Sequence, residues 1–366
     1  MRRAGAAAPR LRQVRRVPRP GRAEGFGRLI ALDAMGGDLA PAATVEGALR
    51  AHRERGLEVL LVGDEARIHT ELHRLGAGES ELRVHHASEV VEMDESPGQA
   101  LRKKKDSSIR VCFDLCKSGQ ALGMVSAGNS GAVLAGGLFV LGRLDGVDRP
   151  CICGHLPTLG GHGRAVLVDM GANVECTPEQ IVQFALMGEV YARRVLGVNK
   201  PRVGVVANGE EEGKGTDLTR AAAAALRKPE SGVEFRGYVE GKDVFGGEFD
   251  VIATDGFTGN VLLKTAEGAV WAFGQLLKRQ VQISPVASAG ALLMRSSLEQ
   301  VRKRVDYEEV GGAPLLGIKG VGLIAHGRST HRAILNALSG AEAFALQCLG
   351  DELSAAAKRA SALFSP

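Results

Sequence analysis

RLIALDAMGGDLAPAATVEGALRAH, residues 28–52, holds the pattern that decides the fold class. A short apolar run, RLIALDA (28–34), ends in a turn carrying Gly36 and Gly37. The chain then gives way to AATVEGALRAH (42–52), whose apolar positions recur at helical spacing. The same unit recurs downstream. LEVLLVG (57–63) precedes DEARIHTELHRL, ELRVHHA (81–87) leads to a helical span from Gln99 to Lys117, and ALGMVSAG (121–128) leads to SGAVLAGGLFVL. RAVLVDMG (164–171) leads to PEQIVQFALMGEVYARRVL, and PRVGVVANG (201–209) to TDLTRAAAAALRK, with VEFRGYVE, FDVIATDG and GVGLIAHG as further strands. Strands alternating with helices of this length need crossover connections, which predicts an α/β fold on a mainly parallel sheet.

With 366 residues the chain exceeds the roughly 250–300 at which one hydrophobic core stops growing, so a large α/β unit with insertions or two lobes is expected. A 45% hydrophobic composition with 49 glycines excludes a disordered chain, and no run approaches the roughly 20 apolar residues of a membrane span. The formal charge of +4 belongs to the first 28 residues, which hold nine arginines and one acid, Glu24. What remains is 37 basic against 41 acidic residues, no footprint for nucleic acid. Residues 1–27 are read as a disordered basic extension outside the fold, with a targeting presequence or a basic arm as the other readings. Six cysteines in Cys-x3-Cys and Cys-x-Cys spacings lack a zinc-ligand pattern and read as reduced thiols.

Five strand-end turns combine glycine with Asp, Asn, Ser or Lys. They are Asp33 to Asp38, Ser126 to Gly131, Asp169 to Asn173, Asn208 to Gly215, and Asp255 to Asn260. In a parallel sheet such turns are expected at one shared carboxyl edge, where backbone amides and helix N-termini favour an anion, so a phosphate site is the natural reading. Turning and helix capping alone would use the same residue types. Neither a GxGxxG run after the first strand nor a GxxxxGK[ST] loop is present, which disfavours a standard dinucleotide or P-loop site. Asp33, Asp38, Asp169 and Asp255 are expected to fix loops, cap helices or orient a lysine rather than meet phosphate.

Read in order, DAMGGDLAP (33–41), RKKKDSS (102–108), SAGNSGA (126–132), DRPCICGHLPT (148–158), VDMGANVE (168–175), NGEEEGKG (208–215), TDGFTGNVLLKT (254–265), GGAPLLGIKG (311–320) and AHG (325–327) resemble the signature blocks of the phosphate acyltransferases of bacterial phospholipid synthesis, the PlsX family. The likeness runs from about Arg28 to Leu349. It implies a Rossmann-like three-layer α/β/α fold of the isocitrate/isopropylmalate dehydrogenase-like kind, related also to phosphotransacetylases. It further implies a homodimer, and peripheral attachment to the inner face of the cytoplasmic membrane. The implied reaction converts a long-chain acyl group on acyl carrier protein, plus inorganic phosphate, into acyl phosphate for a downstream glycerol-3-phosphate acyltransferase, with no metal or redox cofactor. By place in the matching blocks, Lys214 orients phosphate and Asn260 donates to the oxyanion. Gly36, Gly37, Ser126, Asn129, Ser130, Asn173, Gly215, Thr258 and Gly259 are the expected phosphate and substrate contacts. Leu39 stands where the family usually shows a histidine.

The acyltransferase domain is expected over 28–350, with 351–366 as a C-terminal tail and a protruding helical hairpin over about 265–306. Within 270–305, Trp271, Phe273, Leu276, Leu277, Leu292, Leu293, Met294 and Leu298 lie beside Lys278, Arg279, Arg295, Arg302, Lys303 and Arg304. That pattern suits a lipid-headgroup surface, a dimer interface or both. The basic run Arg102 to Lys105 suits an acidic carrier protein or anionic lipid. Competing functions are a coenzyme A-dependent phosphate acetyl- or butyryltransferase, an isocitrate-type nicotinamide-dependent dehydrogenase, and a non-catalytic membrane organiser.

Overall fold

Strand β1 (Leu29–Asp33) is covered on both faces. Ile30 and Leu32 enter one buried cluster with Val45, Leu61 and Ile334, while Leu29 and Ala31 enter a second with Ile109, Phe113 and Met124. A central strand of a layered α/β protein requires this double burial. The computed structural model describes residues 28–78, 80–305 and 311–365; the extension expected over 1–27 lies outside them. After β1 come α1 (Ala42–Arg55), β2 (Glu58–Gly63), α2 (Glu65–Arg74), β3 (Arg83–His86), α3 (Pro97–Lys103), α4 (Ser108–Lys117), β4 (Gly123–Ser126) and α5 (Ser130–Gly136). A π-helical turn, Gly137–Leu141, extends α5. Next are β5 (Cys151–Pro157), β6 (Arg164–Val168), α6 (Pro178–Arg194), β7 (Arg202–Val206), α7 (Asp217–Leu226), β8 (Glu234–Val239), β9 (Val251–Ala253) and α8 (Gly256–Ile283). The chain finishes with α9 (Pro285–Leu293), α10 (Arg295–Val305), β10 (Ala313–Leu316), β11 (Gly322–Ile324), α11 (His331–Ala345) and α12 (Gly350–Ala362).

The strands pair in the order β3-β2-β1-β4-β11-β10-β5-β6-β9-β7-β8. Parallel pairing holds within β3-β2-β1-β4-β11 and within β6-β9-β7-β8. Three antiparallel pairings separate these blocks, so the blocks run in opposite directions. The register then sets their offset. Ile324 at the end of β11 pairs with Ala313, Leu315 pairs with Ile152, and Cys153 pairs with Val168 at the end of β6. The carboxyl ends of β11 and β6 therefore reach the same level of the sheet from opposite sides. The expected single carboxyl edge is corrected to two edges that meet head on across β10 and β5.

Both linking strands escape the periodicity reading, since neither β5 nor β10 is followed by a helix. The helical span expected from Gln99 to Lys117 breaks at Lys104–Ser107, where Ser88 donates through its amide and hydroxyl to Asp106 and Ser107 donates to the Lys104 carbonyl. The expected C-terminal tail is also corrected. Residues 350–362 form α12, which packs on α6 and buries Leu353, Ala356, Ala357 and Ala360 in the main core. In contrast, α8 buries only Gly256 and Gly259, and α9 buries nothing. Trp271 and Phe273 are each 68% exposed. Among the described residues no single helix is long and apolar enough to cross a membrane.

Because Leu353 is buried between α12 and the body, Leu353→Ala is expected to destabilise the protein by about 2–5 kcal/mol in urea unfolding. An unchanged midpoint would mean that α12 is dispensable.

Candidate active site

At the first edge, Asp33 ends β1 fully buried and gathers the turns around it. Its carboxylate accepts from the Ser126 hydroxyl at 2.6 Å and from the Met35 amide at 3.2 Å, and Ser126 Oγ in turn accepts from the Gly128 amide at 3.0 Å. Burial pushes the Asp33 carboxyl above its ordinary value, against the lowering effect of the Ser108 and Ser126 hydroxyls and nearby amides. A side chain at Gly36 would collide with this carboxylate, so Gly36 serves the packing of the turn. Gly37, at φ +105°, lets the Asp38 amide reach the Gly327 carbonyl at 2.7 Å. Ser126 is buried and already paired, and Asn129 is a clamp. The Asn129 side chain caps α5 by accepting from the Ala132 amide, and its Nδ2 donates to the carbonyls of Glu92, Met93 and Glu95 at 3.2 Å each. Both ends of that carboxamide are engaged, which corrects the reading of Asn129 as a phosphate donor. Ser130, the next residue, is exposed on the cavity described below.

The second edge repeats the device. Asp169 accepts from the amides of Ile152, Gly171, Ala172 and Asn173 at 2.7–3.1 Å, and from Asn173 Nδ2 at 2.9 Å. Burial raises its pKa and these bonds lower it. Asn173 Nδ2 also donates to the Pro150 carbonyl at 2.8 Å, so this carboxamide too holds a loop rather than a ligand. Asp255 caps α8, accepting from the amide and hydroxyl of Thr258 at 2.8 and 2.7 Å, which commits Thr258 to the cap. A Cβ at Gly259 would run into the Asp169 carbonyl oxygen; glycine there seats the first turn of α8 on the Asp169 loop. Asn260 then stands against Gly171, exposed, and its carboxamide bonds to no described residue.

Lys214 lies in the loop after β7, exposed, near Gly209, while the Gly215 amide donates to Asn208 Oδ1 at 2.8 Å. Val205 pairs with Ala253, so this loop leaves the sheet beside the turn that carries Asn260. Lys214 does not line the cavity.

Where the two edges meet there is a cavity of about 460 Å³. Ser130, Asp38 and His326 reach it from the first block, Gly171 and Asn260 from the second, and Ile152 and Ala313 from the linking strands. Met93, Ile152, Met170, Leu263 and Ile324 give it an apolar wall; Asn260, Lys264, Glu267 and Arg328 give it a polar one. Such a mixture is the usual make-up of a small-molecule site. Sequence reading missed Lys264, which forms an ion pair with Glu267 at 2.9 Å. Its signal was present, since a residue four beyond Asn260 on a helix shares its face. His326, in the AHG block (325–327), lines the cavity. Its Nδ1 accepts from the Arg328 amide at 3.1 Å, and burial, helped by Lys264, lowers its pKa.

His155 on β5 also lines the cavity, its ring 5.6 Å from that of Tyr191, with both ring nitrogens shut from water and without a hydrogen-bond partner among the described residues. Burial, with a smaller contribution from Arg164, pushes its pKa down to about 4 from 6.5. The unfolded chain therefore binds this proton at higher pH than the folded one. The resulting loss of stability is absent above pH 6.5 and grows to about 3 kcal/mol as pH falls to 4. Urea unfolding from pH 7 to 4 should show a shallower acid decline in His155→Phe than in the parent; equal slopes would contradict this.

A family model described as fatty acid synthesis protein matches residues 29–349. A phosphate acyltransferase of Anaeromyxobacter sp. (strain Fw109-5) is 57% identical over 335 residues, 91% of this chain and 92% of its own. One of Myxococcus xanthus (strain DK1622) is 54% identical over 336 residues, 91% and 94% of the two chains. Among solved structures, a phosphotransacetylase from Streptococcus pyogenes aligns at TM-score 0.58 and 17% identity over 88% of this chain and 94% of its own. A branched-chain phosphotransacylase from Enterococcus faecalis V583 aligns at 0.54 and 13% over 87% and 98%. At such identity these two speak for the fold alone, mixed α/β with a mainly parallel sheet. With the family matched over nearly the whole described chain and relatives above half identity, the chain belongs to the fatty acid synthesis protein family, and within it to the enzymes of the PlsX-type phosphate acyltransferase group.

Proposed function

We propose that the cavity transfers a long-chain acyl group from acyl carrier protein to inorganic phosphate. The observation that carries this reading is the carboxamide of Asn260, which bonds to no described residue, on a cavity with both an apolar lining and a polar one, the latter holding Arg328 and the Lys264–Glu267 pair. An acyl chain fits the first surface and a phosphate the second. A phosphate oxygen adds to the thioester carbonyl carbon, the oxyanion collapses, the C–S bond breaks, and the carrier thiolate leaves and takes up a proton. A thiol of ordinary pKa near 8.5 leaves without strong acid catalysis, so positioning and electrostatics supply the rate. Asn260 donates to the oxyanion. Lys214, on the loop beside that turn, brings and orients phosphate, with Ser130 as a further contact; the amides of Gly215 and Asp38 hold their own turns instead.

The frame is of the isocitrate-dehydrogenase-like kind, with α8 to α10 as a projecting helical hairpin. Its exposed Trp271, Phe273, Leu292 and Leu293, beside Lys278, Arg279 and Arg295, suit contact with anionic lipid headgroups, with a second subunit, or with both. The enzyme acts as a homodimer at the inner face of the cytoplasmic membrane and passes acyl phosphate to a glycerol-3-phosphate acyltransferase.

Turnover of palmitoyl carrier protein with ¹⁸O-labelled phosphate should give acyl phosphate bearing the label, detected by mass spectrometry. Asn260→Ala should lower kcat by about 10²–10³. Lys214→Ala should raise the KM for phosphate more than that for the thioester; equal effects on both would remove Lys214 from phosphate handling. Acetyl coenzyme A turned over as well as the carrier thioester, or no labelled product at all, would overturn the assignment.

A further inference from the structure

Helix α5 begins at the cavity, and its far end joins that of α3 in a cationic and aromatic ledge which the acyl transfer does not use. Helix α5 begins at the cavity residue Ser130, and α3 begins where Pro97 packs against Gly131. At the far end of α5 the π-helical turn leaves Phe139 67% exposed, and the Arg102 guanidinium at the end of α3 lies 5.9 Å from its ring centroid. π-turns inside helices often occur at functional sites. Lys104 turns inward, donating to the Glu95 carboxylate at 2.6 Å and the Val90 carbonyl at 2.7 Å. Arg102, Lys103 and Lys105 are exposed and form no ion pair among the described residues. Of the neighbouring carboxylates, Glu95 is held by Lys104 and Asp106 by Ser88.

We infer that this ledge docks an acidic helix of the protein that carries the thioester, with the Arg102–Phe139 pair at the contact and the exposed Lys103 and Lys105, next to Arg102 in the chain, adding positive charge. The inference rests on the acyl-transfer reading above. Phe139 stands nine residues beyond Ser130, roughly 13 Å along the helix, a span that a phosphopantetheine arm bridges from the ledge to the cavity. Charge complementarity of this kind steers association and selects the partner. A lipid surface fits the ledge less well, because it offers a single large apolar side chain. A second copy about a two-fold axis would set these cations against themselves.

The test compares the full-length enzyme with Arg102→Glu/Lys103→Glu and with Phe139→Ala, using the same acyl group on acyl carrier protein and on pantetheine. The double variant should raise the KM for carrier thioester roughly tenfold or more, a loss of about 1.4 kcal/mol, and Phe139→Ala should raise it severalfold. Values of kcat, and kcat/KM for acyl-pantetheine, should not change, and the parent's KM for carrier should rise with salt. An unchanged carrier KM overturns the ledge. So does an unchanged KM accompanied by lost binding to phosphatidylglycerol vesicles, which makes it a lipid site, or by a halved mass in light scattering, which makes it a subunit interface. A parent enzyme that forms no acyl phosphate from either thioester refutes the reaction itself, a result separate from failure of the ledge alone.

Discussion

The pairing of β10 with β5, Leu315 to Ile152 and Leu316 to Cys151, is the constraint on which the rest of the molecule depends. Two parallel blocks of opposite direction would ordinarily place their carboxyl ends on opposite margins of a sheet. Here β5 gives its first residues to β10 and its remaining ones to β6, so the second block is displaced along the strand axis. The displacement brings the end of β6 level with the end of β11. Ligand-binding loops gather at the carboxyl ends of strands, and this fold therefore assembles one cavity from two sets of loops.

Each set is held by one buried aspartate. Asp33 ends β1 and Asp169 directly follows β6, both are fully or almost fully buried, and both collect hydrogen bonds from the turn that follows. A carboxylate removed from water is costly unless amides and hydroxyls replace its hydration, and that replacement fixes the loops. Asn129 and Asn173 extend the two networks to the neighbouring chain, the first to residues 92–95 and the second to Pro150. What remains for a ligand is the small set of groups beyond these networks, Asn260 and the Lys264–Glu267 pair foremost.

The layered α/β plan was legible because most of the parallel strands are apolar runs with a helix after them, as in 28–52. The two linking strands were not, because antiparallel connectors carry no crossover helix, and without them the meeting of the two edges is invisible. Asn260 stands out in the Thr258-Gly259-Asn260 turn, and the fold exposes it on the cavity. Asn129 and Asn173 show the limit of reading residue type. A carboxamide that binds a ligand and one that ties down a loop look alike in sequence, and only three-dimensional partners separate them. The C-terminal segment lies beyond the family likeness, which ends at about Leu349; its alanines, Ala356, Ala357 and Ala360, form a thin apolar stripe that is sufficient for close packing against α6.

In the proposed reaction, phosphate meets the thioester where the two strand blocks converge. A crystal structure of the protein with a long-chain acyl phosphonate, a stable analogue of the product, tests this directly. The phosphonate should lie beside Asn260 with the alkyl chain along Ile152 and Met170. A phosphonate bound elsewhere on the protein, with that cavity filled only by water, would contradict the account.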